Sequence, residues 1–520
     1  MPIPRAARLA APLLLSLFAT AAPAQDVTLT SRDGSVEVAG TLLGYDGEFY
    51  RVDTAYGELT VDGSGVHCAG PGCPDLESYV AELRIAGAAT AGEVLLPALI
   101  EGFALRHDYA VTREDAGPGR VNYTLANGGD GQTLARVHIH STNTDEGFAD
   151  LLVNEADIVM SLREIRPAEA TRAYEAGLGD MQAANRVRVL ALDALVPIVA
   201  PGNPLRQVTV PDLAAIFSGA IVNWDQVGGP DAPISVHLRD ADAGLAQAVE
   251  DRLLAPVGAR LRPDVTRHDS DRALTNAVIR DPFAIALSPT SEVGNATPLG
   301  LSGACGFAIH ATRRNAKTED YPLTAPVFLY TPVRRLPHIA RDFLAFTRSP
   351  GAQLVIRRAG FIDQAPEEVP IDDQGARFAN AIAQAGAEVS LSELQRMVSV
   401  LTPYRRLTVS FRFDPGSTQL DAHSAANVRQ LATDLEAGRY DGRSLLFVGF
   451  SDGQGAAGLN GKIALRRAES VRHAVIDAAE TLDPARVEVG VDAFGEAMPM
   501  ACDDSAWGAQ VNRRVEVWVR

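Results

Sequence analysis

The chain of 520 residues is poor in cysteine, with four, in methionine, with six, and in aromatic residues, at 6%. Four cysteines cannot staple a chain this long, so its cores must come from packed aliphatic side chains, and hydrophobic residues at 46% are enough for several. Basic residues are also short: 47 Lys and Arg against 65 Asp and Glu leave a net charge of −18. A field of that sign repels nucleic acid and anionic lipid, so neither is an expected partner. Any anion must be captured by local donors. After the N-terminal segment no apolar run reaches the roughly 20 residues that a membrane-spanning helix needs. Internal repeats are absent, and so is a nucleophile–base constellation. Ser218 in Phe217-Ser218-Gly219 lacks the Gly-x-Ser-x-Gly elbow. His138 and His140 share one face of a β run, but nothing nearby completes a metal-ligand set. The expectation is a binding protein rather than an enzyme, with no cofactor and no metal.

What is present begins with a secretory pattern over residues 1–24. Arg5 and Arg8 precede an apolar stretch, Leu9–Phe18, and Ala22-Pro23-Ala24 precedes Gln25. Cys68 and Cys73 flank Ala-Gly-Pro-Gly, a turn that can bring two sulfurs together in an oxidising compartment. Cys305 and Cys502 lie in different modules, and their pairing is left open.

The length suggests three or four domains. A small all-β module is expected over 25–78, where short β-rich runs alternate with Arg-Asp-Gly, Tyr-Asp-Gly and Asp-Gly-Ser-Gly turns. From 79 to 364 strands alternate with amphipathic helices, the α/β pattern. Leu83–Ala86 reads as a strand and Glu93–Leu105 as a helix; Ala156–Met160, Leu195–Ala200, Ile234–Leu238 and Phe283–Leu287 read as buried strands. Residues 365–404 read as a linker, Pro366–Pro370, followed by one helix, Ala376–Val400. The last domain, 405–520, reads βαβαβ with Arg514–Val519 as an edge strand. The paired arginines at 313–314, 334–335 and 357–358 read as solvated faces.

The most informative stretch is 449–471. A strand ends in a Gly-rich turn carrying Asp452, then comes Asn460, then a helix with Arg467, and the chain closes on Asn512-Arg513-Arg514-Val515. One carboxylate and one guanidinium in a pocket suit a ligand that carries both an ammonium and a carboxylate; the plainer alternative is a surface ion pair. The segment resembles the OmpA-like peptidoglycan-binding domain, with Phe450-Ser451 where that family has His-Thr. The resemblance implies that Asp452 meets the ammonium and Arg467 the carboxylate of the diaminopimelate in the stem peptide, with Asn460 and Arg514 also in the peptidoglycan-binding set.

The central module carries Ala215-Ile216-Phe217-Ser218-Gly219, Asn223-Trp224, Asp157-Ile158-Val159-Met160-Ser161-Leu162-Arg163 and the Gly87-Ala88-Ala89-Thr90 turn. It resembles the PstS-like periplasmic phosphate-binding proteins, which have a two-lobed type II fold. Physically, a strand ending in a small-residue turn that opens a helix makes an oxyanion site from free backbone N–H groups. Ala89, Thr90, Ser161, Arg239 and Gly244 are the expected anion ligands. The family's Arg-x-x-x-Ser-Gly-Thr loop stands here as Arg239-Asp240-Ala241-Asp242-Ala243-Gly244-Leu245, so two donor hydroxyls are missing. Phosphate, another oxyanion, a larger anion, or a site retired to a structural or sensing role remain open. The sequence thus describes a multidomain chain: small all-β module, two-lobed α/β binding fold and C-terminal α+β OmpA-like domain. The function implied is a periplasmic, phosphate-like oxyanion-binding protein of the transporter type, tethered to peptidoglycan, with an inner-membrane transporter or sensor as the candidate membrane partner. The alternative is an envelope scaffold whose binding fold now docks a protein.

Overall fold

The structure is a computed structural model that describes residues 26–76, 79–183, 185–241, 243–302, 308–413, 419–503 and 505–520. The secretory pattern and Cys305 lie outside the described residues. The chain forms two compact units, one ending at Ala81 and one running Glu82–Arg520.

The first unit is a five-stranded antiparallel sheet in the order Gly57–Asp62, Phe49–Thr54, Glu37–Tyr45, Val27–Ser31, Val66–Ala69. Inward alternation places Val27, Leu29, Tyr50 and Val52 in its core. The fifth strand, Val66–Ala69, is not legible from its four residues between glycine turns. It carries Cys68 to the expected disulfide with Cys73, Cα to Cα 5.9 Å.

The second unit contains an 11-stranded mixed sheet that serves two lobes. Strand Val187–Val199 is almost continuously buried, as a run covered on both faces should be. Its first part pairs with Thr324–Tyr330 and its last with Ala284–Pro289. The sequence reading caught only that last part, because Arg188 and Asp193 interrupt the apolar run. The first lobe is built on Ile158–Ser161, Ala81–Ala88, Thr133–Thr142, Arg120–Asn127 and Tyr109–Asp115; the second on Ala284–Pro289, Ser235–Arg239 and Thr266–His268. The chain crosses to the second lobe through Val187–Val199 and returns through Thr324–Tyr330.

The C-terminal sheet runs Glu368–Val369, Arg405–Arg412, Arg514–Val519, Ser444–Phe450, Glu488–Gly495. Arg514–Val519, expected at an edge, is the central strand, and all six of its residues are buried. Leu445 and Phe447 point to the helices Ala422–Glu436 and Ala457–Ala478, while Leu446, Val448 and Phe450 point to the other face. That second face is covered by Gly375–Gln384 and Leu391–Leu401. The single helix expected over Ala376–Val400 is thus two, broken around Gly386, with Ser390 capping the second through the Glu393 amide. The expected linker contributes a strand and two helices to this sheet.

Candidate functional site

At the junction of the lobes, strand Ala81–Ala88 carries Gly87 beside its last residue, where a φ of 128° and the close approach to the Met160 carbonyl admit no Cβ. The chain is helical from Ala89, with Ala91–Leu95 wound as a π turn. From the second lobe, Ser235–Arg239 leads to the helix Gly244–Val249. Its first residue packs on the first lobe: a Cβ on Gly244 would lie 3.5 Å from Leu162 Cδ1 and 3.6 Å from Ala88 Cβ. The two helix starts therefore meet, as the sequence expects, but apolar groups fill the space between them. Leu162 and Leu245 are 5% and 4% exposed.

The expected donors are placed as follows. Thr90 makes no side-chain cap hydrogen bond, and Ala89 stands half-buried at the helix start. Ser161 departs from its expected role: fully buried, its hydroxyl donates to the Arg163 carbonyl and accepts from the Arg163 amide. Arg239 pairs with Asp271 at 3.0 Å and donates to the Asp269 carbonyl at 2.9 Å, leaving a buried Nε without a hydrogen-bond partner. Glu93 faces it, its carboxyl pushed up by burial against the opposing pull of Arg239. The Thr144 amide, at the start of the helix Thr144–Leu152, donates across the lobes to Gln247 Oε1 at 3.0 Å. Arg163 turns inward to Glu169 and Asp145, and Arg166 reaches Asp251 of the other lobe at 2.8 Å. Sequence reasoning missed Gln247 and Asp251, polar residues whose partners lie in the opposite lobe.

The C-terminal site residues lie close together. Strand Ser444–Phe450 runs into the turn that holds Asp452, and the helix Ala457–Ala478 follows. Asp452 Oδ2 pairs with Arg513 at 2.7 Å. Arg467 is buried, its guanidinium 5.1 Å over the Phe413 ring; burial first, then Arg513, push its pKa down, and Asp452 pulls the other way. Asp503 adds a second carboxylate, accepting from the Gly453 amide at 2.6 Å and Asn512 Nδ2 at 2.8 Å. Burial raises its pKa, as does the neighbouring Asp452 charge. Asn512 Oδ1 also braces the Met500 and Ala501 amides. Asn460 is a bracing group, donating to Glu496 at 2.8 Å. Arg514 does not join the pocket: it is fully buried, bound to Glu516 and stacked 4.1 Å from Phe450. Alternation along the strand turns Arg514 inward, and its neighbour Arg513 takes the place beside Asp452. Cys502, in the loop before Asp503, is disulfide-bonded.

Residues 55–350 match the model of the PBP superfamily domain, and residues 412–513 that of the OmpA family. The chain belongs to the PBP superfamily. Phosphate-binding protein PstS of Borreliella burgdorferi is 26% identical over 179 residues, 34% of this chain and 64% of that protein. Protein SphX of Synechococcus elongatus is 26% identical over 238 residues, 44% of this chain and 68% of SphX. A crystal structure of an ABC-type phosphate transport receptor from Vibrio cholerae aligns with 54% of this chain and 99% of its own at 21% identity, with a TM-score of 0.42.

The PBP and OmpA domains are joined by buried charge. Asp320, just before the returning strand of the PBP domain, takes Arg406 of the OmpA sheet at 2.6 and 3.1 Å, and lies 3.4 Å from Arg412. Arg412 also donates to the Thr318 and Glu319 carbonyls at 3.0 and 2.8 Å. Glu516 completes the cluster with Arg377, Arg406 and Arg514. Burial disfavours both carboxylates, but the guanidiniums prevail, holding Asp320 well below the usual range and Glu516 at about 2.

Proposed function

We propose that this is a periplasmic envelope protein held on peptidoglycan by its OmpA domain, with the PBP domain carried on it as a rigid arm. The observation that carries this reading is the Asp452–Arg513 pair beside Arg467, which lies midway along the helix Ala457–Ala478. An incoming diaminopimelate ammonium would replace Arg513 on Asp452, and its carboxylate would take the released Arg513 guanidinium together with Arg467. Charge-assisted contacts of this kind contribute about 1.5–3 kcal/mol each. Among the described residues no helix is long and apolar enough to cross a membrane. Co-sedimentation of the full chain with purified peptidoglycan tests it: wild type pellets, and Asp452→Asn stays in the supernatant. Equal pelleting of both would refute it.

For the PBP domain the filled junction favours a scaffold over a receptor for inorganic phosphate. Leu162 and Ala88 pack against Gly244 at the meeting point of the helices, and Gln247 takes the Thr144 amide. Two of the relatives bear phosphate-binding or phosphate-transport names, and one feature favours the receptor reading here: Arg239, at a strand end, keeps a buried Nε with no hydrogen-bond partner. Calorimetric titration of the full chain with phosphate separates the two. Micromolar uptake that Arg239→Ala abolishes would establish the receptor; no heat supports the scaffold.

A further inference from the structure

Three parts of the second unit meet on Arg252, in the π turn Glu250–Leu254 of the second lobe. Its guanidinium donates across the cleft to the Leu162 carbonyl of the first lobe, at 2.9 Å, and to the Thr324 carbonyl that opens the returning strand, at 2.9 Å. Its own carbonyl accepts the Trp507 indole N–H of the OmpA domain at 3.0 Å. The residue before it, Asp251, accepts from Arg166 of the first lobe.

The OmpA domain grips the first lobe as well. The Ala422 amide, in the first turn of the helix Ala422–Glu436, donates to Glu164 Oε1 at 2.8 Å, and Arg429 on the same helix donates to the Val187 carbonyl at 3.0 Å. Asp320, between the lobes, is held by Arg406. Two-lobed folds open by rotating one lobe against the other about the crossing strands. A domain bound to both lobes cannot follow both. Opening must therefore either pull Arg252 away from Trp507 or pull Glu164 and Val187 away from the helix Ala422–Glu436.

We propose that the OmpA domain is a lock on the PBP domain: it holds the lobes closed, with Arg252 as the residue through which Trp507 acts on the cleft. The lock has room to move. A cavity of about 230 Å³, lined in part by Arg252, Glu319, Arg412, Trp507 and Gln510, lies beside the indole, so the contact can shift without displacing close-packed core. Trp507 also lies on the short helix Ala506–Asn512, whose next residue is the Arg513 of the wall pocket.

The Thr144 amide reports on closure, because its acceptor, Gln247, belongs to the opposite lobe. Hydrogen exchange of the full chain is followed at Thr144, with strand Ser444–Phe450 as the reference for an intact OmpA domain. Trp507→Phe keeps the packing but removes the donor. Losing a hydrogen bond of about 1 kcal/mol is expected to speed exchange about fivefold at Thr144, with the reference strand unchanged. Arg429→Gln, which cuts the grip on the first lobe instead, is expected to do the same and covers the case in which Trp507→Phe loosens the reference strand. Gln247→Ala, which removes the acceptor within the PBP domain, shows that the assay detects an unprotected Thr144. Unchanged exchange at Thr144 in both Trp507→Phe and Arg429→Gln, with Gln247→Ala fast, overturns the lock.

Discussion

Asp320 enters a cluster in which Arg377, Arg406, Arg412 and Arg514 are all buried, with Glu516 as the second carboxylate. Arginine suits such a place because it stays charged and its planar fork meets a carboxylate at two points. Removing one partner from a buried pair leaves an uncompensated charge, so Asp320→Asn should cost about 3–5 kcal/mol, read as a lowered midpoint in urea. A neighbouring residue works the other way. Burial, then the nearby Glu319, push the Asp421 carboxyl up to about 7. A folded pKa above the unfolded 3.8 contributes stability that is full below the unfolded value and is lost as pH rises through about 7. Asp421 caps the helix Ala422–Glu436 through the Ser424 amide, and Asn keeps that cap. Asp421→Asn should therefore gain on wild type as pH rises from 5 to 8, by about 1–2 kcal/mol after discounting for solvent contact. Paired thermal melts at the two pH values measure this.

At the scale of elements, the five-stranded N-terminal sheet depends on a small core, and its Cys68–Cys73 bridge closes a short loop. Loop-closure entropy for so few residues amounts to about 2 kcal/mol, so the double Cys68→Ala, Cys73→Ala variant should lower the melting of that unit and leave the Glu82–Arg520 unit unchanged by differential scanning calorimetry. Elements of this kind were legible in the sequence where periodicity was strong. The helix near Glu93–Leu105 and the alternating strands and helices of the last domain stand where expected. The strand Val66–Ala69 was too short to read, and Val187–Val199 was half hidden by its polar residues. Of the pocket, Asp452 and Arg467 were legible because turn, spacing and helix agree; Arg513 was not, since only the strand's register decides which of two adjacent arginines faces out. The filled cleft was foreshadowed by Ala243 and Leu245 but depends on Gln247 and Arg252, polar residues whose partners lie about 100 and 90 positions away.

For the whole molecule, the consequence is that the OmpA domain and the PBP domain are not beads on a string. Segment 365–404 is built into the C-terminal sheet, and the PBP domain is joined to it through buried ion pairs. On the proposed function, a ligand at Asp452 and Arg467 would hold the entire Glu82–Arg520 body in place. Binding of a diaminopimelate-containing stem peptide to the full chain, measured by calorimetry beside Asp452→Asn and Arg467→Gln, tests this account most directly. The account predicts that the wild type binds and that each variant loses about tenfold or more. Equal affinity in all three, or no binding by the wild type, would contradict it.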